Sequence, residues 1–233
     1  MALPVVILAG GLATRMRPLT LSTPKALLSV AGRPFIEWQL LDLAKQGIQK
    51  VVLCTGYLSE QLENALGSGN QFGLNITYVP DGKTLLGTGG CVKNALPHLG
   101  EHFFVLYGDS FLRCPLDKIE ASFFKHKKLA LMTVLKNGNQ WDKSNVRYHD
   151  NRVILYDKHN PSSDMAYIDY GLGLLSASSL NNYPENTSFD LAELYHQLSL
   201  DNQLTGYEVF ERFYEIGSFQ GLKETEAYFS SQG

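Results

Sequence analysis

The sequence predicts an α/β fold, with a mainly parallel sheet flanked by helices in its first half and a β-rich second half. Three observations point there. Apolar runs at Pro4–Leu8, Lys50–Cys54 and His102–Leu106 are continuous rather than alternating, as in strands covered on both faces. Helical patterns separate these runs, which is the alternation that builds a parallel sheet. Beyond Asp109 the pattern changes to closely spaced strand segments with few helices.

The elements follow in order. Pro4–Leu8 is the first strand and stops at Gly10 and Gly11. "FIEWQLLDLAKQG" (Phe35–Gly47) sets Phe35, Trp38, Leu41 and Leu43 among polar neighbours at three-to-four spacing and ends on glycine, which predicts a helix. After the Lys50–Cys54 strand, "SEQLENAL" (Ser59–Leu66) opens on Ser with Glu close behind and ends at Gly67, a second helix. "GTGGCVKNALPHL" (Gly87–Leu99) predicts a loop feeding a short helix that ends near Pro97. His102–Leu106, Leu129–Leu135, Asn145–Tyr156 and Met165–Leu175 are strands, with "HDN" (His149–Asn151) a hairpin turn. Ser188–Leu200 is a helix with Ser188 as N-cap, and a last helix follows Gly217. No repeat, low-complexity tract or linker intervenes. Residues 1–233 are therefore expected to form a single domain, divided into halves at about 1–110 and 111–233.

Composition narrows the function. Asp and Glu number 23 against 20 Lys and Arg, a net charge of -3, which disfavours a general nucleic-acid surface. Cys54, Cys91 and Cys114 form no CxxC pair, so they read as buried thiols rather than a disulfide framework or zinc site. The N-terminus lacks the basic segment of a signal peptide, and no apolar run approaches the roughly 20 residues that cross a bilayer. The expectation is a soluble, cytoplasmic protein with neither nucleic-acid nor membrane partners; its oligomeric state is left open. The histidines show no HxxxH or Ser/His/Asp arrangement that supports hydrolysis.

The stretch "LAGGLATRMRPLTLSTPKALL" (Leu8–Leu28) carries the first chemistry. At the strand end Leu8–Ala9, Gly10 and Gly11 let a ligand approach the backbone and meet N–H groups. Arg15 can pair with phosphate oxygens and Lys25 adds a point charge. Pro18 and Pro24 stiffen the loop between them. No Gly-Lys-Ser/Thr follows, so this is not a Walker loop, and the third glycine of the dinucleotide fingerprint is missing. In "VLYGDS" (Val105–Ser110), Asp109 follows a buried strand at the carboxyl edge of the sheet, where it can hold Mg²⁺ or simply form a turn.

"LAGGLATRMRPLT…TPKALLSVAGRPFIEWQL" closely resembles the N-terminal signature of the sugar-phosphate nucleotidylyltransferases, the NDP-sugar pyrophosphorylases, whose pattern is AGGxGTRLxPLT followed by PK. The resemblance implies a Rossmann-like nucleotide-binding fold with a sugar-binding second half. It also implies the reaction of a nucleoside triphosphate with a sugar 1-phosphate to give an NDP-sugar and pyrophosphate, with Mg²⁺. The family glycine before Thr-Arg is Ala13 here, and an alanine argues against a positive φ at that position.

Further roles follow from the resemblance. Arg15 and Lys25 are the catalytic cations, for the leaving phosphates and for the α-phosphate or incoming phosphate. Leu8, Ala9, Gly10 and Gly11 cradle the nucleotide. "LLGTGGCVKNAL" matches the segment beside the base, so Gly87, Thr88 and Gly89 are nucleotide-binding candidates, with Asp81 able to accept from a base edge. Asp109 and, in "FYEIGSFQGL", Glu215 match the metal ligands, Glu215 replacing an Asp; a helix-capping acid is the alternative. "ILYDKHN" matches an acid-Lys pair, with Lys158 for the sugar phosphate and Asp157 for sugar hydroxyls, although an exposed ion pair is also plausible. "YIDYGLGLL" matches an Asn-Ala-Gly segment, with Asp169 for Asn, Tyr170 for Ala, and Gly171 retained. Asn145 is a further sugar-contact candidate.

"LGTGG" resembles heptose 1-phosphate guanylyltransferases, while "RPLT…TPK" resembles uridylyl and thymidylyl enzymes. The reading leans to GTP with heptose or mannose 1-phosphate. The alternative is UTP or dTTP with another sugar, such as N-acetylmuramate 1-phosphate. Outside this class stand a metal-dependent glycosyltransferase, whose D-x-D pair is missing from "GDS", and a nucleotide-binding module without turnover. Some relatives continue into a left-handed β-helix; no hexapeptide repeat is found in this sequence.

Overall fold

A computed structural model describes residues 2–82 and 84–231 of the chain. In chain order the elements are β1 (Val5–Leu8), β2 (Ser29–Val30), β3 (Arg33–Pro34), α1 (Phe35–Lys45), β4 (Lys50–Thr55), α2 (Ser59–Leu66), β5 (Asn75–Pro80), α3 (Gly87–Ala95), β6 (His102–Tyr107) and β7 (Ser110–Phe111). There follow α4 (Leu116–His126), β8 (Ala130–Lys136), β9 (Val146–His149), β10 (Arg152–Tyr156), β11 (Tyr167–Ser176), α5 (Leu191–Leu200), β12 (Leu204–Val209), β13 (Tyr214–Glu215) and α6 (Phe219–Ser230). No helix among the described residues is long and apolar enough to cross a membrane.

A nine-stranded sheet in the order β5-β4-β1-β6-β11-β8-β12-β10-β9 runs through both halves. β4, β1 and β6 are parallel, as expected; β5, which the sequence pattern does not mark, joins them in parallel, and β8 and β12 are parallel too. The sheet as a whole is mixed rather than mainly parallel, because β11 runs antiparallel to both β6 and β8. β11 is wedged between these two strands, and its start also pairs antiparallel with β9, through Tyr167 and Val146, beside the β9–β10 hairpin.

Alternate strand residues enter two cores, which is why both faces of the first strands are apolar. Val5, Ile7, Val51, Leu53, Phe104 and Leu106 pack on one face against α1, α2 and α4. Val6, Val52, Cys54, Phe103 and Val105 pack on the other against α3 and α5. A third cluster, with Val30, Phe35, Phe111, Ile216 and Phe229, fastens α6 to the short strands and to the start of α1. All three cysteines are buried and unpaired, as the sequence suggested.

Several local expectations change. The α2 cap is Leu58 in a left-handed conformation, with no side-chain cap, rather than Ser59. α5 begins at Leu191, not near Ser188: Asp190 is its N-cap and forms a capping box with Glu193. The "GTGG" glycines lie inside α3, whose first residue is Gly87, rather than in a loop. The hairpin turn at Asp150 and Asn151 is as expected, both with positive φ.

Candidate active site

The parallel strands set the position of the site. In the order β5-β4-β1-β6 the chain runs outward from β1 to β4 and β5 and then crosses back to β6 on the other side of β1, so a crevice opens at the carboxyl ends of β1 and β6. Leu8 ends β1 and Tyr107 ends β6. The chains leaving them are in close contact: Gly108 N–H donates to Leu8 O at 3.1 Å, and a Cβ on Gly108 would lie 2.6 Å from that oxygen. Gly108 is therefore fixed by close approach.

Two cavities meet here. One, of about 230 Å³, is lined by Leu8, Ala9, Gly10, Gly11, Lys25 and Asp81, with Gly87, Thr88 and Cys91 from α3 and with Tyr107 and Asp109. The other, of about 420 Å³, is lined by Arg15, Trp141, Asn145, Lys158, Asp169, Gly171, Phe213 and Glu215. Tyr107 and Asp109 line both, so they form the threshold between the two spaces.

The threshold is charged. Lys25 Nζ donates to Asp109 Oδ2 at 2.6 Å. β13 pairs antiparallel with β7, Glu215 opposite Ser110, and Ile216 N–H donates to Asp109 O at 2.9 Å. That pairing brings Glu215 from the far end of the chain to Asp109. The Glu215 carboxylate accepts from Gly217 N–H and, at 2.5 Å, from the Ser218 hydroxyl, so it caps the turn entering α6. A Cβ on Gly217 would sit 2.9 Å from Glu215 Oε2, 3.3 Å from Asp109 Oδ2 and 3.9 Å from Lys25 Nζ. Glycine thus leaves a small hollow bordered by two carboxylates. Among the described residues no group of three or more His, Cys, Asp or Glu could hold a metal. Two hard oxygen donors facing a space that also opens to phosphates are nonetheless the donor set that suits Mg²⁺, which takes one or two carboxylates and completes its shell with water and phosphate.

In the first cavity, Asp81 lies over Gly10, with Oδ2 3.4 Å from where a Cβ there would be. Its Oδ1 is buried without a hydrogen-bond partner. Burial raises its pKa above the ordinary carboxylate value, opposed by a bond from the Leu86 N–H. The glycines of α3 serve packing: a Cβ on Gly89 would enter the Phe189 ring, and Gly89 N–H donates to Phe189 O at 3.0 Å. Gly89 accordingly does not line the cavity. Thr88 does, but its hydroxyl is engaged within the fold, donating to Asp190 Oδ1 at 2.7 Å and accepting from Leu191 N–H at 2.8 Å. The sequence suggests this hydroxyl for the base edge; its bonds within the fold engage it instead.

At the second cavity, β11 has a register shift between Asp169 and Gly173, and Gly171 takes a φ of 99° that a larger residue would adopt only under strain. Asp169 Oδ1 accepts from Gly171 N–H, and Asn145 Oδ1 accepts from Asp169 N–H, both at 3.0 Å. Burial pushes the Asp169 carboxyl up to about 6, against the Gly171 bond and the Lys158 charge. Asp157 is outside this cavity: its carboxylate closes a turn on the His159 and Asn160 N–H groups, which holds its pKa down. Arg15 lines the second cavity rather than the first. Ala13 takes φ 47° after all, in the left-handed region, held by Thr20 Oγ1 donating to Ala13 O at 2.9 Å.

Tyr107, Trp141, Phe213 and Asp190 were not anticipated. Asp190 had a signal, since "DLAE" (Asp190–Glu193) is a capping-box pattern. The aromatic walls had none beyond "QWDK", because Trp141 and Phe213 meet only in three dimensions.

Fold and site together define a nucleotide-binding α/β protein with a second polar cavity abutting the first across a cation–carboxylate threshold. Residues 4–144 match the model of the nucleotidyl transferase family, and the chain belongs to that family. It is 47% identical over 105 residues to the N-acetylmuramate α-1-phosphate uridylyltransferase of Neisseria meningitidis, covering 45% of this chain and 46% of that protein. It is 28% identical over 193 residues to the D-glycero-α-D-manno-heptose 1-phosphate guanylyltransferase of Campylobacter jejuni, covering 82% of this chain and 84% of that protein. The aligned part thus spans about half of the first relative and most of the second. HddC from Yersinia pseudotuberculosis, solved with GMP-PN, shares the fold with a TM-score of 0.77 at 22% identity, over 97% of this chain and 99% of that one.

Proposed function

We propose that the protein transfers a nucleotidyl group from a nucleoside triphosphate to a sugar 1-phosphate, releasing pyrophosphate. The observation that carries this reading is the pair of abutting cavities, two spaces for two anionic substrates, joined at Lys25, Asp109 and Glu215. In the reaction a sugar-phosphate oxygen bonds to the α-phosphorus while the bond to the β-phosphate oxygen breaks, and that electron pair leaves on pyrophosphate. The attacking oxygen is already anionic at neutral pH, so no general base is needed. The work is positioning and charge neutralisation. Lys25 serves the α-phosphate, Lys158 the sugar phosphate, and Arg15 the phosphate oxygens reachable from the sugar side. Asp109 and Glu215 would hold Mg²⁺, whose charge would offset the repulsion between the substrates. The chemistry draws on triphosphates, so the cytoplasm is its proposed place, supplying activated sugars to cell-surface polysaccharides.

The proposed pair is GTP with a heptose 1-phosphate. Asp81 supports guanine, which presents two adjacent donors, N1–H and N2–H₂, whereas uracil and thymine present one donor between two acceptors. The heptose guanylyltransferase is also similar over most of both chains. The second reading, UTP with N-acetylmuramate 1-phosphate, is favoured by the 47% identity over a shorter stretch. A thermal-shift screen of GTP, UTP, dTTP, CTP and ATP with Mg²⁺ separates them. GTP should give the largest shift, and Asp81→Ala should erase its lead; a larger shift with UTP would favour the second reading.

A further inference from the structure

Asp190 lies in neither cavity, yet it connects residues of both. Its Oδ2 accepts from Lys158 Nζ at 2.8 Å, and Lys158 lines the sugar-side cavity. Its Oδ1 accepts from the Thr88 hydroxyl at 2.7 Å and from Ala192 N–H at 3.0 Å, and Thr88 lines the nucleotide cavity. Leu191 N–H closes the arrangement by donating to the same Thr88 hydroxyl. Three elements distant in sequence, the first turn of α3, the segment after β10 and the N-terminus of α5, thus converge on one carboxylate.

Capping α5 does not require this arrangement. A cap needs one acceptor oxygen, which the Ala192 bond uses. The other oxygen goes to a lysine whose side chain is 47% exposed. So exposed an ion pair contributes little to stability, so its value lies elsewhere. A lysine stem has four rotatable carbons and loses much rotamer freedom when it must meet a phosphate. Here that freedom is already restricted, because the carboxylate receiving Lys158 is itself fixed by two other donors. An ammonium carries three N–H groups, so one bond to Asp190 leaves two for phosphate oxygens. Burial disfavours the Asp190 anion, but the bonds from Ala192 N–H, Lys158 and Thr88 outweigh it and hold the carboxyl below its usual range. Lys158 and Asp169 both line the second cavity, which Asp190 borders only through its bond to Lys158.

We propose that Asp190 is a positioning residue for the sugar phosphate: it holds the Lys158 ammonium at the sugar-side cavity and braces that hold on Thr88 in the wall of the nucleotide cavity. This rests on the reading of Lys158 as the sugar-phosphate cation. The test is steady-state kinetics of wild type, Asp190→Asn and Asp190→Ser with the nucleotide and sugar 1-phosphate pair that wild type turns over fastest. Asn and Ser both cap helices well, so α5 is retained, while neither presents a carboxylate to Lys158. Each variant should raise KM for the sugar 1-phosphate about tenfold, as expected for a lost charge-assisted contact, with KM for the nucleotide and the melting temperature nearly unchanged. Thr88→Val should move the same KM in the same direction by less. Unchanged sugar-phosphate KM in both Asp190 variants, or equal losses in both KM values together with a lowered melting temperature, would overturn the proposal and leave the enzyme reading standing. Wild type that turns over no pair would overturn both.

Discussion

Lys25 and Asp109 neutralise each other across the threshold at 2.6 Å, with side chains 21% and 30% exposed. Such a pair contributes little to folding but presents a ready cation to an arriving phosphate. Lys25→Ala should therefore cost about 2–4 kcal/mol of transition-state stabilisation, read as kcat/KM, with little change in melting temperature. Asp169 gives a pH signature. Its carboxyl titrates near the ordinary 3.9 when unfolded and at about 6 in the fold, chiefly through burial. Between these values the folded state binds the proton more tightly, so stability falls as pH rises through that window. Asp169→Asn should flatten the fall and raise stability at pH 7 by at most about 3 kcal/mol, measured by urea unfolding at several pH values. A wild-type profile already flat between those pH values would contradict the burial argument.

At the level of elements, the β7–β13 pairing builds the site from its two ends. It aligns Glu215 with Ser110, and the turn into α6 leaves the hollow at Gly217. Gly217→Ala should fill that hollow and raise the Mg²⁺ concentration for half-maximal rate about tenfold, with the fold intact by circular dichroism. This geometry also explains what could be read from the sequence. β1, β4 and β6 were legible because both faces are buried, and the β9–β10 turn because Asp150 and Asn151 tolerate positive φ. β5, α4 and β12 went unmarked. β5 ends on Pro80, and the residue pattern of β12 is interrupted by Gly206, where a Cβ would meet the Tyr148 ring although the strand itself continues. Gly89 of α3 pointed to a ligand but packs against the Phe189 ring, whereas Gly87 lines the first cavity and also lies close to the Phe189 backbone, because close packing and close ligand approach use the same residue. Asp190 lies 102 positions from Thr88 and 32 from Lys158, a convergence that no local pattern encodes.

At the scale of the molecule, one mixed sheet carries both cavities, the parallel half supplying the first, proposed for the nucleotide, and the β11 bulge the second, proposed for the sugar phosphate. Bringing two polyanions together at that shared threshold is the central claim. The most direct measurement is pyrophosphate release with GTP, Mg²⁺ and a panel of sugar 1-phosphates that includes a heptose 1-phosphate, in wild type, Lys25→Ala and Asp109→Ala. Release should require both substrates, match NDP-sugar formed one for one, and fall steeply in both variants. Wild-type turnover retained in both variants, or pyrophosphate released without any sugar 1-phosphate, would contradict it.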